Sequence, residues 1–385
     1  MINYFDFEEI RPYSQDEFAA AWHRIKNNSV FHSALSFLFH PDELAKLVQS
    51  FDHFDSTRDF QLKIMHPAIR NIITKSSKGL TSSGFERIEN NIPYTFISNH
   101  RDIFLDSGIL QILLVEHGHD TSEITFGNNL MVNQFIIDIG KVNKMFTVHR
   151  TGNKRTLYDN SIRLSNYMRY AIREKRQSTW IAQRNGRTKN GNDETQVGLL
   201  KMLHASHSED FEKSFFDLNI LPVSISYEYE PCDFMKVNEI YNAQFATYVK
   251  APDEDIKSIL AGVVEPKGCI HLSIGNPVNK AISAISKSND PFKELTQFLD
   301  KEIHTHYKLF ASNYIAFDLL HATSQMKDQY TESDKDYFLE YMHQKLALLK
   351  GEPAVLQKLF LELYAHPVSN SLKHLKSHAD LTAQN

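Results

Sequence analysis

Short apolar runs, each bounded by turn residues and followed by a polar segment, constrain this chain more than any other feature. Tyr94–Ser98 follows a turn at Asn91-Ile92-Pro93 and leads into Asn99-His100. Met145–Val148, Thr179–Ala182 and Cys269–Ile274 are further strand candidates, the last closed by Gly275-Asn276-Pro277. Asn219–Tyr229 is the clearest, and Ile136–Ile139 reads as one more. Strands buried on both faces of a sheet look like this, because neither face meets water. A helical pattern over 156–176 separates Met145–Val148 from Thr179–Ala182, as in a βαβ unit, and a helix is expected from about Leu105 to Val115. The flanks read as helices: Asp16-Glu17 suits a helix N-terminus, Pro41 a first turn, and the chain returns to helices from about Pro291. The expected fold class is α/β, a central mixed sheet flanked by helices, with helical N- and C-terminal extensions. Residues 1–85 form the first helical region, 86–280 the α/β domain and 281–385 the second helical region.

Charge is unevenly placed. Residues 141–189 hold 13 Lys and Arg against Asp159 and Glu174, a net +11, in a chain of net charge −5, so the remainder carries −16. A basic block in an acidic protein points to a bound anion or an anionic surface. Part of the block is a helix with its own core face, since Leu157, Leu164, Met168, Ala171 and Ile172 recur at helical spacing. Arg169, Arg173 and Arg176 lie on another face and are expected at the surface. A nucleic-acid partner is not expected, because the basic residues are not interleaved with stacking aromatics or a recognition motif. Two cysteines, Cys232 and Cys269, make neither a disulfide framework nor a zinc site. Glu116-His117-Gly118-His119-Asp120 reads as a solvated helix end, and Gly191-Asn192-Asp193-Glu194 lacks the spacing of a calcium loop, so no metal is expected. The N-terminus lacks a signal-peptide pattern, and no apolar run approaches the roughly 20 residues of a spanning helix. The expectation is a cytoplasmic protein, peripheral at the inner face of the membrane.

The chemistry centres on Asn99-His100-Arg101, with Asp106 six positions after the histidine. Histidine suits proton abstraction near neutral pH, and a carboxylate can fix its tautomer and stabilise the imidazolium. No Ser or Cys sits in a nucleophile-elbow pattern.

Four blocks, in order, resemble the glycerophosphate acyltransferase superfamily, which includes glycerol-3-phosphate and lysophosphatidate acyltransferases. They are Ser98-Asn99-His100-Arg101 with Asp106; Gly140 to Arg150, with Phe146 between; Asn185-Gly186-Arg187-Thr188; and Leu221-Pro222 running to Tyr227-Glu228. Gly268 to Pro277 is similar to the family's late strand. The resemblance implies an acyltransferase domain over 86–280 and direct transfer from an acyl thioester, on acyl carrier protein or coenzyme A, to a hydroxyl of an anionic lipid-type acceptor. It implies no cofactor, and contact with an anionic membrane. His100 would be the base and Asp106 its partner. Asn99, Arg101, Phe146, Arg150, Asn185, Gly186, Arg187 and Thr188 would bind substrate, with Arg150 and Arg187 on the acceptor's anionic group. Two departures stand out. Five residues separate His100 from Asp106 where the family has four, so Asp102 is an alternative partner, disfavoured because it sits on an early helical turn pointing elsewhere. Arg184 stands where the family has Glu, which points to an unusual acceptor such as an amino-acid-containing lipid. A non-catalytic lipid- or carrier-binding relative is the other reading.

Overall fold

The computed structural model describes residues 7–149, 151–251 and 253–382, with side chains through His374. Among these residues seven strands form one sheet: β1 (Gly79–Ser83), β2 (Thr95–Ser98), β3 (Glu123–Gly127), β4 (Met145–Val148), β5 (Thr179–Ala182), β6 (Ile220–Tyr227) and β7 (Cys269–Ile274). Their order is β1-β7-β6-β2-β5-β3-β4. Every neighbouring pair is parallel except β6 with β7, so the sheet is mixed. The central strands are buried along their whole length, and side chains alternate between two cores. Phe96, Trp180 and Ala182 face one core, shared with the helices His66–Ser76 and α1 (Leu105–Glu116). Ile97 and Ile181 face the other, shared with α3 (Lys154–Arg173) and the helix Val197–His204. The α/β architecture and its helical flanks are as the sequence indicates.

Ile136–Ile139 is not a strand. It lies in α2 (Gln134–Val142), whose N-terminus is capped by Asn133 accepting from the Ile136 N–H. A short apolar run next to a capping residue starts a helix as readily as a strand. Two strands carry no such run. β1 is half-exposed at a sheet edge, and β3 opens on Glu123, a buried carboxylate held by Tyr167 Oη at 2.5 Å and by Lys175. The sheet therefore starts at Gly79, ahead of residue 86.

Four more helices matter below: α4 (Asp233–Ala243), α5 (Glu254–Val264), α6 (Pro291–His306) and α7 (Pro353–Thr382). The C-terminal helices pack a core of their own around Phe338, Phe360 and Tyr364, reaching Tyr229 and Val237 at the end of β6 and on α4. The N-terminal helices pack another around Trp22 and Phe60. The outer edge of β4 is covered by the N-terminal segment, where Thr147 N–H donates to the Ile10 carbonyl at 2.8 Å. No helix among the described residues is long and apolar enough to cross a membrane.

Candidate active site

β2 runs out at Ser98, and the next residue prolongs its pairing by side chain. Asn99 Oδ1 accepts from Ile225 N–H at 2.8 Å, and its Nδ2 donates to the Ile225 carbonyl at 2.9 Å. That amide mimics one more rung of the ladder to β6 and fixes where His100 leaves the sheet. The His100 carbonyl accepts from Thr188 N–H at 2.8 Å, which ties the end of β2 to the loop after β5.

His100 Nδ1 lies 2.8 Å from Asp106 Oδ2. Asp106, in the first turn of α1, is buried and fully committed. Its Oδ2 also accepts from the backbone N–H groups of Arg101 (2.5 Å) and Asp102 (2.9 Å), and its Oδ1 accepts from Tyr227 Oη at 2.8 Å. An ionised carboxylate only accepts, so Nδ1 carries the ring proton and Nε2 keeps the lone pair. Trp180 meets the imidazole edge-on, with ring centroids 5.8 Å apart. Asp102 does not reach the histidine. Its Oδ1 caps α1, accepting from Phe104 (2.9 Å) and Leu105 (2.7 Å) N–H, and its Oδ2 is buried without a hydrogen bond. Burial, then the neighbouring Asp106 charge, raises the Asp102 pKa.

His100 opens onto a cavity of about 620 Å³. At one end stand Arg184, Asn185, Gly186, Arg187 and Lys189 from the loop after β5. From there the cavity follows one face of α1, past Phe104, Ser107, Gly108, Gln111, Ile112 and Val115. At about 1.5 Å per residue, Phe104 to Val115 spans roughly 16 Å. Ile124, Phe126, Met145 and Trp180 line the opposite wall. Gln61 and Thr121 add polar lining: Thr121 Oγ1 donates to Gln61 Oε1 at 2.8 Å, and Gln61 lies in a π-helical turn, Gln61–Met65. A deep, mostly apolar cleft with a few polar groups at its mouth is the usual form of a small-molecule site.

The loop 183–189 owes its path to Gly186, which has φ +76° and no atom where a Cβ would go. Arg187 is 6% exposed, and its Nη1 is buried with no hydrogen-bond partner. Asp102 is close enough to feel its charge but makes no ion pair with it. Arg184 Nε is likewise buried without a partner. Lys189 is paired with Glu239 of α4; burial, then Arg187, pushes the lysine down to about 8.

Other expected binding residues sit elsewhere. The Arg101 side chain turns away from the cavity into a buried cluster. It reaches Asp193 Oδ2 at 2.6 Å and Glu230 Oε2 at 3.1 Å, and lies over the Tyr307 ring. Lys236 completes the cluster, donating to Glu230 Oε1 at 2.6 Å and to the Arg101 carbonyl at 2.7 Å. Burial alone would raise the Asp193 pKa, but Arg101, with Thr188 and Asn99, holds it below the usual range. Thr188 Oγ1 donates to Asp193 Oδ1 at 2.6 Å, so Thr188, Asn99 and Arg101 brace the site from behind. Phe146 packs against Tyr167 in the core on the other sheet face. Arg150 lies outside the described residues. Arg169 is no surface residue: it is buried, donating to the Leu203 carbonyl (2.8 Å) and Ser214 Oγ (2.6 Å). Arg173 pairs with Asp217, Arg176 donates to the Asn91 carbonyl, and Leu157 is exposed rather than core. Trp180, Asp193, Lys189 and Glu239 had no local signal, since each acquires its role through residues distant in sequence. Among the described residues no group of three or more His, Cys, Asp or Glu is placed to hold a metal ion.

No protein-family model matches this chain, and no curated protein sequence matches it. Among solved structures, the crystal structure of the 1-acyl-sn-glycerophosphate (LPA) acyltransferase PlsC from Thermotoga maritima is similar over 75% of this chain and 92% of that one, at 15% identity and a TM-score of 0.36.

Proposed function

We propose that this protein is an acyltransferase that moves a fatty acyl group from an acyl thioester, on acyl carrier protein or coenzyme A, to a hydroxyl of a glycerophosphate-type or other anionic lipid acceptor. The observation that carries the reading is a convergence at one cavity mouth. A carboxylate-held histidine, an unpaired buried arginine and a long apolar cleft meet there. Each part matches a need of the reaction. The acyl chain lies along α1, where its methylenes leave water at about 0.8 kcal/mol each. Arg187, with Arg184 beside it, binds the acceptor's anion through charge-assisted bonds and so fixes its hydroxyl.

His100 Nε2 then takes the hydroxyl proton as the oxygen attacks the thioester carbonyl. Asp106 stabilises the imidazolium that forms. The tetrahedral adduct collapses, the C–S bond breaks, and the thiolate recovers the proton from His100. A thiolate is a good leaving group, so one base serves both steps. Asn99, Arg101 and Thr188 act as positioning residues. The acyl-transfer unit is residues 86–280 with β1 added, and the protein works at an anionic membrane surface where its acceptor resides.

Thiol release from acyl-coenzyme A and from acyl carrier protein, measured with phosphate-bearing, carboxylate-bearing and neutral acceptors, tests the proposal. Acceptor-dependent release with the anionic compounds is expected. No release with any donor and acceptor contradicts it.

A further inference from the structure

The surface beside the cavity carries exposed apolar side chains. Phe245, Val249, Ile256, Leu260 and Val264 are between 52% and 82% exposed. Ile256, Leu260 and Val264 stand at i, i+4 and i+8 on α5, one stripe along one face. The opposite face is seated firmly. Ser258 and Gly262 are buried, and a Cβ on Gly262 would stand 2.2 Å from Asp102 Oδ2. The helix is therefore held against the loop that carries the His100–Asp106 pair, and its apolar stripe faces outward by construction. The stripe is also continuous with the cleft: Ile256 and Ile259 line the cavity, as does Lys250, next to Val249. Val132, itself 62% exposed, flanks the same mouth. An exposed apolar stripe beside a cleft of this kind marks an interaction site.

From this we infer that α5 and the described residues before it, 245–251 and 253, form a docking face for a phospholipid bilayer, held by apolar insertion. This rests on the acyl-transfer reading, since a lipid acceptor leaving the bilayer would pass from the stripe into the cleft without crossing water. Local charge supports insertion over attraction. Lys250 pairs with Asp255 and Lys257 with Asp253, which leaves no basic excess on this face, and Glu254 adds a further negative charge beside Tyr248. An acidic carrier protein finds nothing complementary here. The arginines of the basic helix do not supply an alternative, because Arg169 is buried, Arg173 pairs with Asp217 and Arg176 donates to the Asn91 carbonyl. A short helix with one apolar face set into the headgroup boundary is a recognised mode of peripheral binding.

Flotation of the full chain with phosphatidylcholine vesicles, with and without phosphatidylglycerol and at low and high salt, tests the face. Wild-type protein is expected to float with both, with little effect of salt. The double variant Val249→Ser/Leu260→Ser, neither of which lines the cavity, is expected to bind roughly tenfold or more weakly. It should acylate a vesicle-borne acceptor more slowly in proportion, while turning over a soluble short-chain acceptor as the wild type does. Wild-type-like flotation of the variant overturns the face, as does flotation that needs phosphatidylglycerol and vanishes in salt. So does a native dimer that the double variant dissociates. If the variant alone loses flotation but neither protein acylates any acceptor, the docking face stands and the acyltransferase reading fails.

Discussion

Arg101 and Arg187 are both buried arginines, 1% and 6% exposed, on the two loops that meet at His100. Arg101 is ion-paired with Asp193 and Glu230, donates to the Gly191 carbonyl and lies over Tyr307, and the Lys236 ammonium balances the remaining charge. Arg187 has no carboxylate partner among the described residues, and one of its nitrogens is buried without any. A buried cation that is unpaired costs several kcal/mol unless something binds it. The contrast separates scaffold from site. The first arginine completes itself within the protein; under the proposed function the acceptor's anion completes the second. His100 lies between them, oriented by a carboxylate whose four hydrogen bonds leave it no freedom.

The sharpest way to break this division is to remove the group in the middle. His100→Ala should lower acyl transfer by about 10²–10⁴-fold with an unchanged denaturation midpoint. Asp106→Asn should follow closely, whereas Asp102→Asn should cost less, because Asp102 caps a helix and does not touch the ring. A reversed order of the two carboxylates in steady-state kinetics would overturn the assignment of Asp106. Next in size is Arg101→Ala, which leaves Asp193 buried without its counter-ion and Glu230 paired with Lys236 alone. Urea unfolding should show a loss of about 3–5 kcal/mol. The same substitution at Arg187 should leave unfolding unchanged or slightly stabilise the free protein. If both variants lose stability equally, Arg187 is scaffold too.

Arg187→Lys should raise the acceptor's KM or lower kcat, roughly tenfold, while the donor's KM holds, since an ammonium cannot reproduce the guanidinium fork. The smallest effect is expected at Tyr227. Removing its hydroxyl takes one of four bonds from Asp106, at about 1 kcal/mol, so Tyr227→Phe should slow turnover only a few-fold. A loss as large as that of His100→Ala would mean that the tyrosine has a direct role.

The sequence could show what is local. Met145–Val148 and Cys269–Ile274 match their observed bounds, and His100 with Asp106 was legible because strand end, loop and first helical turn fall within nine consecutive residues, 98–106. β1, Gly-Leu-Thr-Ser-Ser, escaped because an edge strand needs no apolar run, and β3 because the partners of Glu123 come from a distant helix and the turn that follows it. Arg101 read as a ligand-binding residue for the same reason. Its partners lie 92 and 129 positions away, and nothing near it announces them. Arg187 is the converse case, where the telling fact is an absent partner among the described residues, visible only once the fold has placed their carboxylates.

Isothermal titration of a short-chain, phosphate-bearing acceptor into three proteins bears most directly on the claim that Arg187 is the acceptor's seat and His100 its base. Wild type and His100→Ala should bind it with similar affinity, although only the wild type releases thiol when acyl donor is added. Arg187→Ala should bind it at least about tenfold more weakly, as expected for loss of a charge-assisted pair. Equal binding by Arg187→Ala and wild type would contradict the assignment.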